Sequence, residues 1–378
     1  MRTETRVPTK VLAAIRAPFQ DQGAQLVDPP VVQPLNLFLD LAGEAMRARL
    51  FIVQAEGREE ACRRPDLTIP VARAHIASGA AGGRYAYEGK AFRAAPRDGA
   101  IPHAEEFLQL GLEIYAPVDL AAEAAVAGVA WRACAAGGRG DLTLRLGDAA
   151  LFSAFLGGVG VSGLTAARLR RALGRPAALE TELARAGEDR SSGERGRIAG
   201  LLAGLPEDEA AGLLDELWTL AGIQPVGGRP ASEIVRRLVQ RGDAVQAPRL
   251  SPAQADLVRR YVAIAGAPAA ALADIAALAK AAGADLSAEL TQWTDRLAAI
   301  AEAGAPVGQT RFAAGFGRAF GYYDGFLFDI VSEALGDGRP VAGGGRYDSL
   351  LTRLGAAASP GAVGCMVRPA RAWKDASE

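Results

Sequence analysis

The stretch RYAYEGKAFRAAPRDGAIPHAEEFLQLGLEIYA, residues 84–116, holds two strand-like runs around a segment rich in Pro, Gly and Asp. Successive side chains of a strand point to opposite faces. Leu108, Leu110, Leu112 and Ile114 therefore share one side, and Phe107, Gln109, Gly111, Glu113 and Tyr115 share the other. The leucine side is a core face. The opposite side sets an amide and a carboxylate two positions either side of a glycine, where another group can approach the backbone. That arrangement suits the floor of a pocket for a small polar ligand. A strand with one face in solvent alternates in the same way, so this stretch alone leaves both readings open.

The rest of the chain narrows the choice of function class. In 378 residues, 50% are hydrophobic and 22% charged, with a net charge of −1. This is a globular composition with material for two or three domains, and it lacks the overall basic footprint of a nucleic-acid binder. The three cysteines, Cys62, Cys134 and Cys365, are far apart with no Cys-x-x-Cys, which argues against a disulfide framework or zinc finger and fits a reducing cytoplasm. Only His75 and His103 are available for imidazole chemistry, and neither lies in a triad context. The start, MRTETRVPTK, lacks an apolar signal core, and no uncharged apolar run reaches the ~18 residues of a membrane helix.

Along the chain, residues 10–22 have helical spacing strained by Pro18, and residues 24–32 are extended but broken by Pro29 and Pro30, as at an edge, a turn or a subunit contact. Residues 35–41 form a short helix or loop, and residues 49–54 an apolar strand. Pro70 belongs to the first turn of a helix that Gly79 ends, and Asp66 and Thr68 are placed to cap it. Asp119 caps a helix from Leu120 to about Ala136, after which Leu142, Leu144 and Leu146 alternate as a strand. From about 162 to 303 the texture is Ala, Leu, Arg and Glu at helical spacing, and charge runs such as Arg168, Arg170, Arg171 read as solvated faces. Strand signals resume at Gln309. Residues 336–345 read as a loop entering a helix that carries Tyr347, Leu350, Leu351 and Leu354 and stops at Gly355. The expected organisation is a core made of residues 1–161 and 304–378 around a mainly helical insert, 162–303.

The glycine-rich segments miss the phosphate-binding templates. Gly89-Lys90 is not followed by Ser or Thr, so no P-loop is formed, and Gly315, Gly317 and Gly321 miss the dinucleotide spacing. Gly343-Gly344-Gly345 reads locally as a strand-to-helix turn.

Five motifs in order make the chain similar to the histidyl-tRNA synthetase catalytic domain, over roughly residues 8–150 and 305–368. The Pro30 region resembles motif 1, Arg64-Pro65-Asp66-Leu67-Thr68 the amino-acid-binding segment, and Phe92-Arg93 with Phe107-Leu108-Gln109-Leu110-Gly111 motif 2. Arg318-Ala319-Phe320-Gly321-Tyr322-Tyr323 and Gly344-Gly345-Arg346-Tyr347-Asp348 match the two histidine-specific signatures. The resemblance implies an α+β fold of the class II aminoacyl-tRNA synthetase type, an antiparallel sheet flanked by helices. It also implies a histidine site. Asp66, Thr68 and Gln109 would surround the ammonium, and Arg93 and Arg318 would face the carboxylate or a phosphate. Glu113 and Tyr323 would grip the two imidazole nitrogens, with Tyr322 shaping the wall.

The departures are concentrated in the ATP and tRNA parts. Motif 2 reads Arg93-Ala94-Ala95 where the synthetase has Arg-x-Glu, and motif 3 reads Arg368-Pro369-Ala370-Arg371 where Gly-x-Glu-Arg is expected. After motif 3 no stretch remains for an anticodon-binding domain, which needs at least about 50 residues. This pattern resembles the ATP phosphoribosyltransferase regulatory-subunit family, the synthetase-like paralogues that act in histidine biosynthesis. The resemblance implies a non-catalytic cytoplasmic subunit, without cofactor, metal, tRNA or membrane. Its partners would be the short catalytic subunit, in a hetero-octamer containing homodimers, and histidine as feedback effector. The alternative is a truncated histidine-activating ligase that sets Arg93, Arg318 and Arg371 on ATP.

Overall fold

The computed structural model describes residues 2–42, 44–94, 105–186, 205–220, 249–318, 321–336 and 338–375. The Pro/Gly/Asp segment with Ala95 and His103, and the signature positions Ala319 and Phe320, lie outside the described residues. The strands in chain order are β1 (Thr3–Glu4), β2 (Gln25–Val27), β3 (Val32–Pro34), β4 (Ile52–Val53), β5 (Ala61–Arg63), β6 (Gly83–Phe92) and β7 (Glu106–Tyr115). They continue as β8 (Leu142–Asp148), β9 (Ala265–Gly266), β10 (Thr310–Ala313), β11 (Phe326–Ser332), β12 (Ala342–Arg346) and β13 (Ala362–Val367).

The two runs of the opening stretch pair as a ten-residue antiparallel ladder from Gly83↔Tyr115 to Phe92↔Glu106. They lie near one end of a sheet ordered β2-β6-β7-β13-β12-β11-β8-β10-β9. The sheet is antiparallel from β6 to β8, and parallel where β2 joins β6, β10 joins β8 and β1 lies beside β7. β3, β5 and β4 form a separate small sheet. Helices cover the main sheet, in agreement with the α+β class expected from the sequence.

Both faces of β7 are buried, which removes the solvent-facing alternative. Leu110, Leu112 and Ile114 join a core with Val126, Ala130 and Cys134 of the helix Leu120–Ala135. Phe107 and Tyr115 join a second core with Ile69 and Val71 of the helix Thr68–Ser78 and Phe38 of the helix Leu35–Ala42. Fully burying each leucine contributes roughly 1.5–3 kcal/mol, so a one-residue slip of β7, which exchanges its two faces, is strongly opposed. Asp119 starts the helix Leu120–Ala135 by accepting from the Ala122 N–H at 2.8 Å, a cap of about 1 kcal/mol.

Between residues 163 and 302 the described elements are helices except for β9, and they enter the first core through Leu169, Leu179, Tyr261, Ile275 and Trp293. A buried ion pair ties the last of them to the sheet's cover: Arg296 Nε of the helix Ser287–Glu302 donates to Glu123 Oε2 at 2.6 Å. Trp293 Nε1 donates to Asp148 Oδ2 at 2.9 Å.

Three local expectations change. The loop expected over 336–345 contains a central strand, β12, whose three glycines read as a turn because they carry no side-chain pattern. Their lack of Cβ is what the strand needs: a Cβ on Gly344 would lie 2.9 Å from the Cys365 Cα in β13. The 49–54 strand shrinks to Ile52–Val53 behind a 3₁₀ turn, Glu44–Arg49. Finally, Thr68 does not cap its helix, although Asp66 Oδ1 does accept from the Ile69 N–H at 3.3 Å. Among the described residues no helix is long and apolar enough to cross a membrane.

Candidate functional site

Strand register brings the polar face of β7 against bare backbone. Glu113 is opposite Gly364 of β13, which is opposite Gly345 of β12; Gly111 is opposite Met366, itself opposite Gly343. A Cβ at Gly364 would strike the Glu113 carboxylate, and one at Gly343 the Arg318 guanidinium. Glycine strands therefore form a floor across which long polar side chains can lie. Gly111 has the role expected of it, with an internal occupant: the Tyr87 ring fills the space a Cβ would take.

All eight sequence-selected residues line one cavity on this floor: Asp66, Thr68, Arg93, Gln109, Glu113, Arg318, Tyr322 and Tyr323. Asp66 comes from the turn before the helix Thr68–Ser78, Thr68 from its first residue, and Arg318, Tyr322 and Tyr323 from the segment before β11. With these side chains reaching across, the free volume is about 20 Å³. Two residues that the sequence did not single out complete the site. Tyr347 OH and Tyr87 OH both donate to Glu113, the latter at 3.3 Å. Tyr347 belongs to a signature motif but reads there as a helix-face residue; Tyr87 is signalled only by its register opposite Gly111.

Glu113 also accepts from Thr68 Oγ1 at 2.7 Å. Despite these donors, burial dominates and pushes its carboxyl up to about 8 from an ordinary 4.5. Gln109 donates from Nε2 to Tyr87 OH at 3.1 Å, while its Oε1 is buried without a hydrogen-bond partner. Asp66 Oδ2 is in the same condition, and burial raises that carboxyl's pKa against the lowering effect of Arg93. Buried acceptors with nothing to accept are costly unless something meets them.

Two cations face these acceptors. Arg93 donates from Nε to the Pro65 carbonyl at 2.8 Å and packs over Phe107, and burial lowers its pKa to about 10. Arg318 pairs with Asp329 and donates to the Phe328 carbonyl at 3.2 Å. Tyr322, Tyr323 and Tyr347 form an aromatic wall with ring centroids 4.6–5.9 Å apart. The third arginine of interest, Arg371, is not on the cavity. It donates from Nε to Glu4 Oε2 at 2.7 Å and from Nη1 to the Pro340 carbonyl at 3.0 Å. Arg368 and Arg339 reach the same β1 carboxylate at 3.4 and 3.3 Å.

Chemically, the cavity offers acceptors for an ammonium, guanidiniums for a carboxylate, and a carboxyl with tyrosine hydroxyls for a ring N–H. Relatives agree in sequence over nearly the whole chain. The ATP phosphoribosyltransferase regulatory subunit of Brucella anthropi is 36% identical over 358 residues, covering 94% of each chain. That of Chelativorans sp. strain BNC1 is 37% identical over 343 residues, covering 89% of this chain and 90% of its own. The chain belongs to the ATP phosphoribosyltransferase regulatory subunit family. A histidyl-tRNA synthetase family model also matches residues 2–217 and 210–370 of this regulatory-subunit family member. Solved structures show the same fold. An ATP phosphoribosyltransferase regulatory subunit/histidyl-tRNA synthetase from Bacillus halodurans superposes with a TM-score of 0.60 at 17% identity, covering 97% of this chain and 78% of that one. Histidyl-tRNA synthetase from Nostoc sp. PCC 7120 gives 0.59 at 14%, covering 96% and 69%.

Proposed function

We propose that this chain is the histidine-sensing, non-catalytic subunit of ATP phosphoribosyltransferase: it activates a separate short catalytic chain at the first step of histidine biosynthesis and conveys inhibition by histidine. The observation that carries this is the pair of buried, unpartnered acceptors, Asp66 Oδ2 and Gln109 Oε1, in a cavity shared with Glu113, Arg93 and Arg318. The acceptors suit the ammonium, the arginines the carboxylate, and Glu113 with the tyrosines the imidazole, whose need for two polar partners separates histidine from apolar amino acids. A free volume of about 20 Å³ means that histidine enters only as side chains such as Arg318 and Tyr323 swing outward. Such a ligand favours one arrangement of the site over another, which is the physical requirement for an effector.

The truncated-ligase alternative asks Arg93, Arg318 and Arg371 to hold ATP. Arg93 and Arg318 line the cavity, but Arg371 does not, being engaged by Glu4 and the Pro340 carbonyl. Histidine- and ATP-dependent pyrophosphate exchange by the purified chain would restore the ligase. The assembly we expect contains four regulatory and four catalytic chains, with regulatory homodimers, in the cytoplasm, free of tRNA and membrane. Within the chain we divide a synthetase-like core, 1–161 and 304–378, from the insert, 162–303. The deciding experiment mixes this chain with a short-form catalytic subunit and measures phosphoribosyl transfer. Activity should rise on mixing and fall when histidine is added; activity indifferent to the added chain overturns the proposal.

A further inference from the structure

A second, larger cleft adjoins the cavity behind the wall of Arg318, Tyr322 and Tyr323, with a volume of about 630 Å³. It shares Arg318, Tyr322 and Tyr323 with the cavity, but its lining does not include Asp66, Arg93, Gln109 or Glu113. Arg170 and Arg171, at the end of the helix Gly163–Ala172, line one side with Arg175; Arg353, at the end of the helix Ser349–Arg353, lines the other. Arg168, two residues before Arg170, is paired with Glu182. Among the described residues, Arg170, Arg171, Arg175 and Arg353 have no carboxylate within ion-pair distance.

Two of these cations are held by backbone carbonyls. Arg353 donates to the Gly321 and Leu41 carbonyls at 3.3 and 3.0 Å, and Arg175 donates to the Arg171 carbonyl. The turn carrying Arg175 touches the loop carrying Arg318 backbone to backbone: a Cβ on Gly174 would lie 2.5 Å from Gly317, and one on Gly317 2.5 Å from the Leu173 carbonyl oxygen. The carboxylates in the lining are Asp40 and Asp324. Asp324 is occupied by the N–H groups of Asp348 and Ser349, and Asp40 also has a partner. Burial and the nearby Arg171 lower the pKa of Arg353 against the raising effect of Asp324.

We infer that this cleft is a binding site for a small polyphosphorylated molecule, held by Arg170, Arg171, Arg175 and Arg353. Guanidiniums fit phosphate oxygens in pairs, the volume is that of a small-molecule site, and a cleft in which arginines outnumber carboxylates attracts anions even in a chain whose net charge is −1.

Isothermal titration of the full chain with inorganic pyrophosphate and with tripolyphosphate, at about 0.15 M salt to screen diffuse attraction and without histidine, tests the site independently of the proposed sensor function. The expected result is saturable binding of one molecule per chain, weakened about tenfold or more in Arg170→Ala/Arg171→Ala. Both residues are exposed, so that variant should melt with the wild type. Arg58→Ala/Arg84→Ala, which removes two exposed charges elsewhere, should bind as the wild type does. Absence of saturable binding, or equal loss in the two double variants, overturns the site.

Discussion

Glu113 is the residue on which most of the site converges, and its protonation makes two properties measurable. Histidine binding the folded chain should raise its melting temperature by mass action, worth about 2.7 kcal/mol at a hundredfold excess over Kd. Glu113→Gln keeps the shape but removes the carboxylate, and should lose most of that shift; an undiminished shift would place the ligand elsewhere. The second property is pH dependence. Below pH about 4.5 the group is protonated whether the chain is folded or not, and above about 8 it is ionised in both. Between these limits the folded chain holds a proton that the unfolded chain has lost, so rising pH costs stability, at up to about 1.4 kcal/mol per pH unit from this group. Urea unfolding at intervals from pH 5 to 8 should therefore show a shallower fall for Glu113→Gln than for the wild type. The pairing of Glu113 with Gln109 across a glycine is visible in the sequence, because strand alternation is local. Thr68 was not: near a helix start it looks like a cap, and its true acceptor is 45 residues away.

The helix Ser287–Glu302 depends on a buried charge for its attachment to the sheet. Glu123 and Arg296 have 1% and 4% side-chain exposure, and Arg346 Nη1, beside Tyr347 of the cavity, donates to the same glutamate at 3.3 Å. Glu123→Ala leaves a buried guanidinium facing only Asp148, 3.7 Å away, and should cost about 3–5 kcal/mol. Chemical denaturation would read this as a lower midpoint; a change under 1 kcal/mol would mean that water takes over the charge. The helix itself was legible from its Ala/Leu/Glu spacing and Asp119 from its capping chemistry. β12 was not legible, since Gly343-Gly344-Gly345 earns its strand from neighbours on either side and carries no alternation of its own.

At the scale of the whole molecule, the cavity draws on β7, β12, β13, the helix Thr68–Ser78 and the loop before β11, segments far apart in the chain. Periodicity could supply those elements one by one, but not their order in the sheet. The ordered series of five motifs, with strand alternation for Glu113, selected in advance eight of the residues that line the cavity. What it omitted are contacts peculiar to the assembled fold, such as Glu4 of the two-residue β1 among Arg339, Arg368 and Arg371. The strand order also bears on how the protein is made. β7 ends at Tyr115, yet its neighbour on the far side is β13, which begins only at Ala362. Until residue 362 is made, the edge of β7 that β13 will cover waits for its partner, an invitation to stray pairing; nascent chains stalled before residue 362 should be clients of holding chaperones, and the candidate site lacks its β13 floor until then.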